Sequence, residues 1–213
     1  MLYVEQIVPT NDISTFETIK MTQLHTKIEL AKDRGQYLLI FDRNENANVY
    51  FQYKATSKDF HKLVLAVQIG KKDKEEAMDT LRKSCVYSMR AGDTFCINVD
   101  KLTPDFKSEF TDDELFPTEQ LFDPQVWHED DNYMSIVHKD ENYDLLGNKD
   151  LYSMHKNYQL VILSLYQSDA DMEKVCAAIP HSEKMKKIII EKQKEWEQSD
   201  FNKQQQPYNP LSH

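Results

Sequence analysis

The chain has 213 residues, of which 40% are hydrophobic and 11% aromatic, so it can build a packed core and is not wholly disordered. Only four glycines occur, which disfavours Gly-rich phosphate loops and series of tight hairpins. The net charge of −10 disfavours binding to nucleic acid or anionic lipid, where Lys and Arg supply the attraction.

Helical periodicity begins close to the N-terminus. Asn11, Asp12 and Ser14 are potential capping residues. Apolar residues then recur with helical spacing at Phe16, Ile19, Leu24, Ile28 and Ala31. Gly35 stands where such a helix would end. We therefore predict that residues 1–36 form an N-terminal helical extension.

Short apolar runs predict the strands of a core domain. Tyr37–Phe41 and Thr94–Val99 are too short for helices and are typical of buried strands, and Tyr158–Tyr166 is the most strand-like run in the chain. Lys187–Glu191 fits a final strand or a turn of helix. The aromatic run Val49–Tyr53 fits a second strand or the start of a helix.

Three helices are predicted between these runs. Ser57 is the expected cap of the first, which would end at Gly70, and Asp73 is the expected cap of the second, which would end at Gly92. A third covers Asp169–Ala178. Strands separated by helices predict an α/β fold: a helix-covered, mostly parallel sheet, in a core domain of residues 37–197.

An acidic insertion, residues 104–150, interrupts this core. From position 105 to position 144 the sequence has 13 acidic residues and two lysines. We predict short helices around Glu114–Phe122 and one strand near Tyr133–Val137. The insertion is either a solvated surface loop or a surface that docks on a basic partner.

The tail, residues 198–213, is Gln-rich and is predicted to be disordered on its own. Large apolar side chains stand in and just before it, at Trp196, Phe201, Tyr208 and Leu211. Such residues can anchor a disordered segment to a partner. A plain solvated tail is the alternative.

The core resembles a degenerate P-loop or AAA-type module between Tyr37 and Glu191. The segment DRNENAN, Asp42–Asn48, stands where the phosphate loop belongs. The strand Phe95–Val99, followed by Asp100, stands where the Walker B strand belongs. The run Tyr158–Tyr166 takes the place of the sensor strand. The resemblance implies a three-layer core with a nucleotide site at the ends of the first two of these strands.

The phosphate loop departs from the family's pattern. It contains no glycine and no lysine, so the turned-in N–H groups and the phosphate-neutralising charge of GxxxxGK[ST] are missing. Asp42 and Glu45 would repel phosphate. The resemblance therefore implies a lost nucleotide site. If one survives, Asp42 and Asp100 would hold its Mg²⁺.

Other chemistry has little support in the sequence. Two stretches, starting at Asp42 and Asp140, mimic a calcium loop but lack the bidentate glutamate at its end, so we predict that both are Asx turns. The histidine of His128-Glu129-Asp130-Asp131 has no partner at metal-binding spacing. Cys85, Cys96 and Cys176 are widely spaced, which predicts buried free thiols in a reducing compartment. We expect no cofactor and no metal.

These observations favour a non-enzymatic structural or adaptor subunit of a large intracellular assembly. Its partners would be proteins, with basic surfaces facing the acidic insertion. No apolar run reaches about 18 residues and the N-terminus has no leader pattern, so we expect a cytoplasmic protein. Its Lys-, Gln- and Asn-rich composition resembles protist proteins in style, and the ciliary axoneme is one expected home. The alternative is a nucleotide-binding enzyme or regulator, such as a diverged nucleoside-phosphate kinase or AAA-like ATPase.

Overall fold

The computed structural model describes residues 16–42, 44–165 and 168–192, which include a six-stranded sheet with every strand parallel. In chain order the strands are β1 (Phe16–Ile19), β2 (Leu38–Asp42), β3 (Thr56–Asp59), β4 (Thr94–Asp100), β5 (Gln159–Ser164) and β6 (Lys186–Ile190). They lie side by side in the order β1-β6-β2-β5-β4-β3. The predicted α/β fold with a parallel sheet is confirmed.

Eight α-helices connect and cover these strands in the described ranges. They are α1 (Leu24–Asp33), α2 (Asn46–Lys54), α3 (Phe60–Gln68), α4 (Lys74–Ala91), α5 (Thr118–Leu121), α6 (Pro124–Trp127), α7 (Asp130–Met134) and α8 (Asp169–Ala178). The helix predicted at Asp169–Ala178 is confirmed, as is the helix capped by Asp73 and ended by Gly92.

Both faces of the central strands are buried, because successive side chains of a strand point to opposite faces. Leu39 and Phe41 of β2 face a core that also includes apolar residues of α3, α4 and α8. Leu38 and Ile40 face a second core made with α1 and α2. The protein is thus a three-layer structure, with the sheet between two sets of helices.

The N-terminal prediction is wrong over Phe16–Ile19, which form the edge strand β1 instead of the first turn of a helix. β1 pairs in parallel with β6, and its Ile19 is buried in the core that α1 shares. The helical spacing predicts the structure correctly only from Leu24 onward. Before that residue, pairing with the distant strand β6 overrides the local preference for a helix. The predicted end is correct, since Gly35 follows α1 with φ +61°.

The strand β3 was not predicted. Ser57, the expected helix cap, lies within it, and the residue before α3 is Asp59. The sequence TSKD has no apolar alternation because β3 is an edge strand that is only partly buried. The ambiguous run Val49–Tyr53 is helical and belongs to α2.

The acidic insertion is a packed layer, not a free loop. Its short helices include the region predicted around Glu114–Phe122, but the strand predicted near Tyr133–Val137 is wrong, because Tyr133 lies in α7. Large aromatic side chains of the insertion are buried in the core on the α4 side of the sheet, namely Phe106, Phe110, Phe116, Phe122 and Trp127. Burial of these aromatic side chains stabilises the packing of the insertion on the domain, whereas a solvated loop would leave them exposed.

A buried arginine joins the insertion to α4. Arg82 is fully buried, and its Nε donates a hydrogen bond of 2.7 Å to Asp79 on the same helix. Its Nη1 donates to the carbonyl oxygen of Ile136 at 2.9 Å. Both terminal nitrogens also donate to the carboxylate of Glu141. One side chain therefore ties together two carboxylates and a backbone carbonyl across two elements.

The end of α4 gives a first prediction, Gly92→Ala. Gly92 has φ +68°, and an added Cβ would lie 2.3 Å from Nδ1 of His155. We expect a loss of about 2 kcal/mol in the free energy of unfolding from left-handed strain and this clash together. The matched control is Gly70→Ala, where φ is +70° but no atom lies within 4 Å, so about 1 kcal/mol is expected. Equal losses in urea unfolding would show that the His155 contact costs nothing.

An ion pair with a buried carboxylate gives a prediction for pH dependence. The Asp123 carboxylate is buried, accepts from the Gln125 N–H at 3.0 Å and pairs with Lys184. Burial alone would raise the pKa of this carboxyl, but the hydrogen bonds from Lys184 and Gln125 outweigh it, so the pKa is lowered. A lowered folded-state pKa stabilises the protein above the ordinary value of 3.8.

This stabilisation is therefore lost as the pH falls below that value toward the folded-state pKa. We expect Asp123→Asn to lose more stability at pH 7 than at pH 3, as measured by urea unfolding at both values. Lys184→Met should likewise reduce the difference in the free energy of unfolding between pH 7 and pH 3, because it removes the ammonium group that stabilises the Asp123 carboxylate. Parallel pH profiles for wild type and both variants would contradict the assignment.

Candidate functional site

The carboxyl ends of β2, β5, β4 and β3 form the edge of the sheet where ligands bind in parallel α/β folds. Asp42 ends β2, and α2 begins four residues later at Asn46. Asp100 ends β4 and Asp59 ends β3. The carboxylates on which the sequence places a nucleotide site therefore stand at the expected edge, but their partners decide what they can bind.

Asp42 is turned into its own loop. Its side chain is fully buried, with Oδ1 accepting from the N–H of Asn44 at 2.9 Å and Oδ2 accepting from the N–H of Ala47 at 2.8 Å. The residue before α2, Glu45, has φ +59° and makes no side-chain cap, so Asp42 does the capping.

The Asp42 carboxylate lies where a bound anion would lie at the start of α2. The N–H groups at a helix N-terminus are the donors that hold phosphate in nucleotide sites, since they are unpaired within the helix and lie at the positive end of its dipole. At α2, one such donor, the N–H of Ala47, is already bonded to a carboxylate of the chain itself, which also accepts from the N–H of Asn44 in the loop before the helix. A phosphate group would have to displace this buried, negatively charged side chain.

Asp100 stands in a different environment. Its φ is +54°, and the strand pairing shifts register between Asn98 and Asp100. Its N–H donates to Oδ1 of Asn98 at 2.9 Å, and its carbonyl accepts from the N–H of Leu165 at 2.7 Å. The carboxylate itself is partly exposed and lies 3.3 Å from Nδ1 of His61 on α3. This bulge turns the carboxylate toward α3.

A polar cluster surrounds Asp100, and we define it as Asn48, Asp59, His61, Asn98 and Asp100. Nδ2 of Asn98 donates to Oδ1 of Asn48 at 3.0 Å and to Oδ1 of Asp59 at 3.2 Å. These residues line a cavity of ≈ 140 Å³. Sites for drug-sized ligands span about 300–1,000 Å³, so this cavity suits water or a small polar group and not a nucleotide.

The two carboxylates predicted to hold Mg²⁺ do not share partners. β5 lies between β2 and β4, so the α-carbons of Asp42 and Asp100 are about 10 Å apart by strand spacing. The Asp42 oxygens are bonded to N–H groups of the α2 loop, while Asp100 faces His61. The neighbours of Asp100 in its cavity are instead Asn48, Asp59 and His61. The sequence did not indicate these three residues as part of a site.

The structure also describes the side chains considered for metal binding and the three cysteine thiols. Within residues 16–42, 44–165 and 168–192, no group of three or more His, Cys, Asp and Glu side chains is arranged to hold a metal. The thiols of Cys85 and Cys96 are buried, and burial raises the pKa of Cys85 to about 12 and that of Cys96 above its ordinary value. Cys176 is only partly buried, in contrast to the prediction. Buried, protonated thiols are poor nucleophiles.

A larger cavity, of ≈ 490 Å³, lies between α4 and the insertion, and we call it the acidic bay. Its acidic lining residues are Asp73, Glu75, Glu76, Asp79, Asp140 and Glu141. Arg82 and Lys83 are the basic residues among those lining it. Arg82 is already bonded to Asp79 and Glu141, so the remaining charge of the bay is negative.

The predicted anchors of the tail, Trp196, Phe201, Tyr208 and Leu211, lie outside the described residues. Across the part of the chain that the structure covers, no helix has both the length and the apolarity needed to cross a membrane. Comparison of the chain with family models, curated proteins and solved structures finds no match in any of the three.

Proposed function

We propose that this chain is a non-enzymatic structural or adaptor subunit of a large intracellular assembly, built on a P-loop-like core whose nucleotide site has been lost. The observation that carries the proposal is the buried Asp42 carboxylate, which accepts from the N–H of Ala47 in the first turn of α2 and from the N–H of Asn44 in the loop before it. A nucleotide phosphate needs those donors free. An internal anion gives the loop a stable structure with nothing bound.

The parallel sheet is the observation that supports the P-loop-like part of the proposal. In it, β2 leads into the segment that resembles a phosphate loop in position, and β4 is the strand compared with Walker B. The helix after that segment, α2, is capped by Asp42 of the chain itself.

The surfaces left for function are protein-docking surfaces. The acidic insertion is fixed on the core by its aromatic side chains, and it bounds the acidic bay together with α4. A rigid acidic surface attracts basic partners. Because it is already ordered, it loses little conformational entropy when a partner binds. The residues Trp196, Phe201, Tyr208 and Leu211 are proposed as a second set of anchors. The cytoplasm, with the ciliary axoneme as one setting, is the proposed location.

One observation favours the alternative function, a nucleotide-binding enzyme or regulator. Asp100 keeps a partly exposed carboxylate that faces the polar cavity next to His61. A metal-bound phosphate could reach this carboxylate from outside. In that case Asp100 alone, without Asp42, would be the residue from the chain that holds Mg²⁺.

Two measurements test the proposal. The first is the thermal unfolding of the purified chain with Mg²⁺-ATP or Mg²⁺-GTP, for which we expect no shift. A ligand at 100 times its Kd would add about 2.7 kcal/mol, so a clear upward shift would support the nucleotide-binding alternative.

The second measurement is the native mass of the protein in gentle extracts of its own cells, by size exclusion with immunodetection. We expect elution far above the chain mass of 25.1 kDa or retention in a cytoskeletal pellet. Elution as a free monomer would contradict the assembly-subunit function.

A further inference from the structure

A tight turn at residues 142–151 projects from the insertion, and we call it the leucine turn. Tyr143 and Lys149 form an antiparallel bridge across it. At its tip, Oδ1 of Asp144 accepts from the N–H groups of Leu146 and Asn148, each at 2.9 Å. Gly147 closes the turn with φ +85°. The tip is therefore held by its own hydrogen bonds.

The base of the leucine turn is fixed on α4. The Arg90 guanidinium lies 4.0 Å from the centre of the Tyr143 ring and donates to the carbonyl oxygen of Glu141 at 3.1 Å. On the other side, the Tyr152 hydroxyl donates to the carbonyl oxygen of Val86 at 2.8 Å. A turn anchored at both ends loses little conformational entropy when a partner binds it.

The side chains at the tip are apolar and exposed. Leu145 is 65% and Leu146 is 87% exposed, and Leu151, at the end of the turn, is 59% exposed. The hydrogen bonds of the tip come from Asp144, Gly147 and Asn148, so nothing in the turn requires leucine at these positions. Adjacent, exposed apolar side chains on an ordered turn form a small apolar patch that a partner can cover.

The charges around the turn select the kind of partner. Residues 139–151 carry four carboxylates, those of Asp140, Glu141, Asp144 and Asp150, against two lysines. The neighbouring acidic bay adds further negative charge to this face. A second copy of the chain would bring the same acidic face against this one, and like charges across an interface are repulsive. A surface with an apolar pocket and a basic rim is complementary to both features.

We propose that the leucine turn is a docking element that inserts Leu145 and Leu146 into an apolar pocket with a basic rim on another protein. This inference rests on the proposed function as an assembly subunit and names the chemistry of its partner. The acidic bay beside the turn attracts the rim, and the two leucines supply the buried apolar area.

The test uses the double variant Leu145→Ser/Leu146→Ser. Both side chains are exposed, so the fold should be unaffected. The matched control is Val49→Ser/Tyr53→Ser on α2, because those side chains are 54% and 83% exposed on another part of the molecule. The probe is a synthetic amphipathic helix with leucines on one face and lysines along its edges, and its binding is followed by fluorescence anisotropy.

We expect the probe to bind wild type and the control equally and the leucine variant about tenfold more weakly, with binding that weakens as salt is added. A version of the probe with glutamates in place of lysines should not bind. Equal binding by the leucine variant, or equal binding of the glutamate probe, would overturn the proposal. Leucine-dependent dimerisation of the purified chain would also overturn it, in favour of a second copy.

Native size exclusion in the cells of origin separates this proposal from the proposed function. If wild type and control elute at high mass and the leucine variant elutes near 25.1 kDa, the docking element is supported. If all three elute at high mass, the docking element is wrong while the assembly function stands. If wild type itself is a free monomer, the assembly function is wrong. If wild type also fails to bind the lysine probe, the docking element is wrong as well.

Discussion

Replacing Arg82 by methionine is expected to lower the free energy of unfolding by about 3 kcal/mol, the low end of the range for breaking a buried ion pair. The side chain is fully buried and bonds Asp79, Glu141 and the carbonyl of Ile136. Methionine fills the space but removes a charged donor from two carboxylates and one carbonyl. Asp79 keeps its pair with Lys83, and Glu141 keeps the bond from the N–H of His138. The two carboxylates are partly exposed, which limits the loss.

The matched control for this variant is Lys83→Met. Lys83 pairs with the same Asp79 carboxylate but is 63% exposed, so its replacement is expected to change the free energy of unfolding far less than Arg82→Met does. Urea unfolding of both variants gives the comparison. Because Arg82 connects α4 to the insertion, proteolysis of the insertion should also be faster in Arg82→Met. A loss no larger than that of Lys83→Met would contradict its role as the link.

Asp42→Ala is the second large expected effect, also about 3 kcal/mol. The substitution leaves the N–H groups of Asn44 and Ala47 without their acceptor, and each lost hydrogen bond to a charged group costs about 1.5–3 kcal/mol. Water entering the space recovers part of the sum. Urea unfolding at neutral pH measures the loss. Asp42→Asn should fall between alanine and wild type because it retains one acceptor.

Asp73→Ala is the control for a cap in an ordinary position. Asp73 accepts from the N–H of Glu76 at 2.7 Å at the exposed start of α4, where loss of a cap costs about 1 kcal/mol. If Asp42→Ala costs no more than this, the Asp42 carboxylate does not hold the α2 loop as the hydrogen bonds indicate. The proposed loss of the nucleotide site would then lack its main support.

The parallel sheet could be predicted because three of its four inner strands are continuous apolar runs, whereas the fourth, β6, begins with two lysines and was left between a strand and a turn of helix. Leu38–Asp42, Thr94–Asp100 and Gln159–Ser164 are buried on both faces, so burial alone specifies them. The two edge strands could not be predicted. Phe16–Ile19 and Thr56–Asp59 are stabilised by pairing with β6 and β4, and this long-range contribution leaves no periodic signal in the local sequence.

The candidate site could be predicted only in part. Asp42 and Asp100 follow apolar runs, and that pattern located both at the correct edge of the sheet. The Asx turn predicted at Asp42 is confirmed by the bond from the Asn44 N–H. The second bond, which the N–H of Ala47 donates from beyond the left-handed Glu45, could not be predicted from the sequence. Asp59 and His61 went unrecognised as neighbours of Asp100, since they follow a strand that the local pattern conceals.

The pairing of β1 with β6 has a consequence for how the protein is made. Phe16 lies opposite Lys187, so the first described strand finds its neighbour only after the last described strand has left the ribosome. The central strand β2 likewise waits for β5 and β6, which are its neighbours on either side. Sheets that depend on such distant pairings form slowly, and the waiting apolar segments are prone to aggregate. We therefore expect the sheet to form only once β6 has emerged, with β2 in need of protection by a chaperone until then.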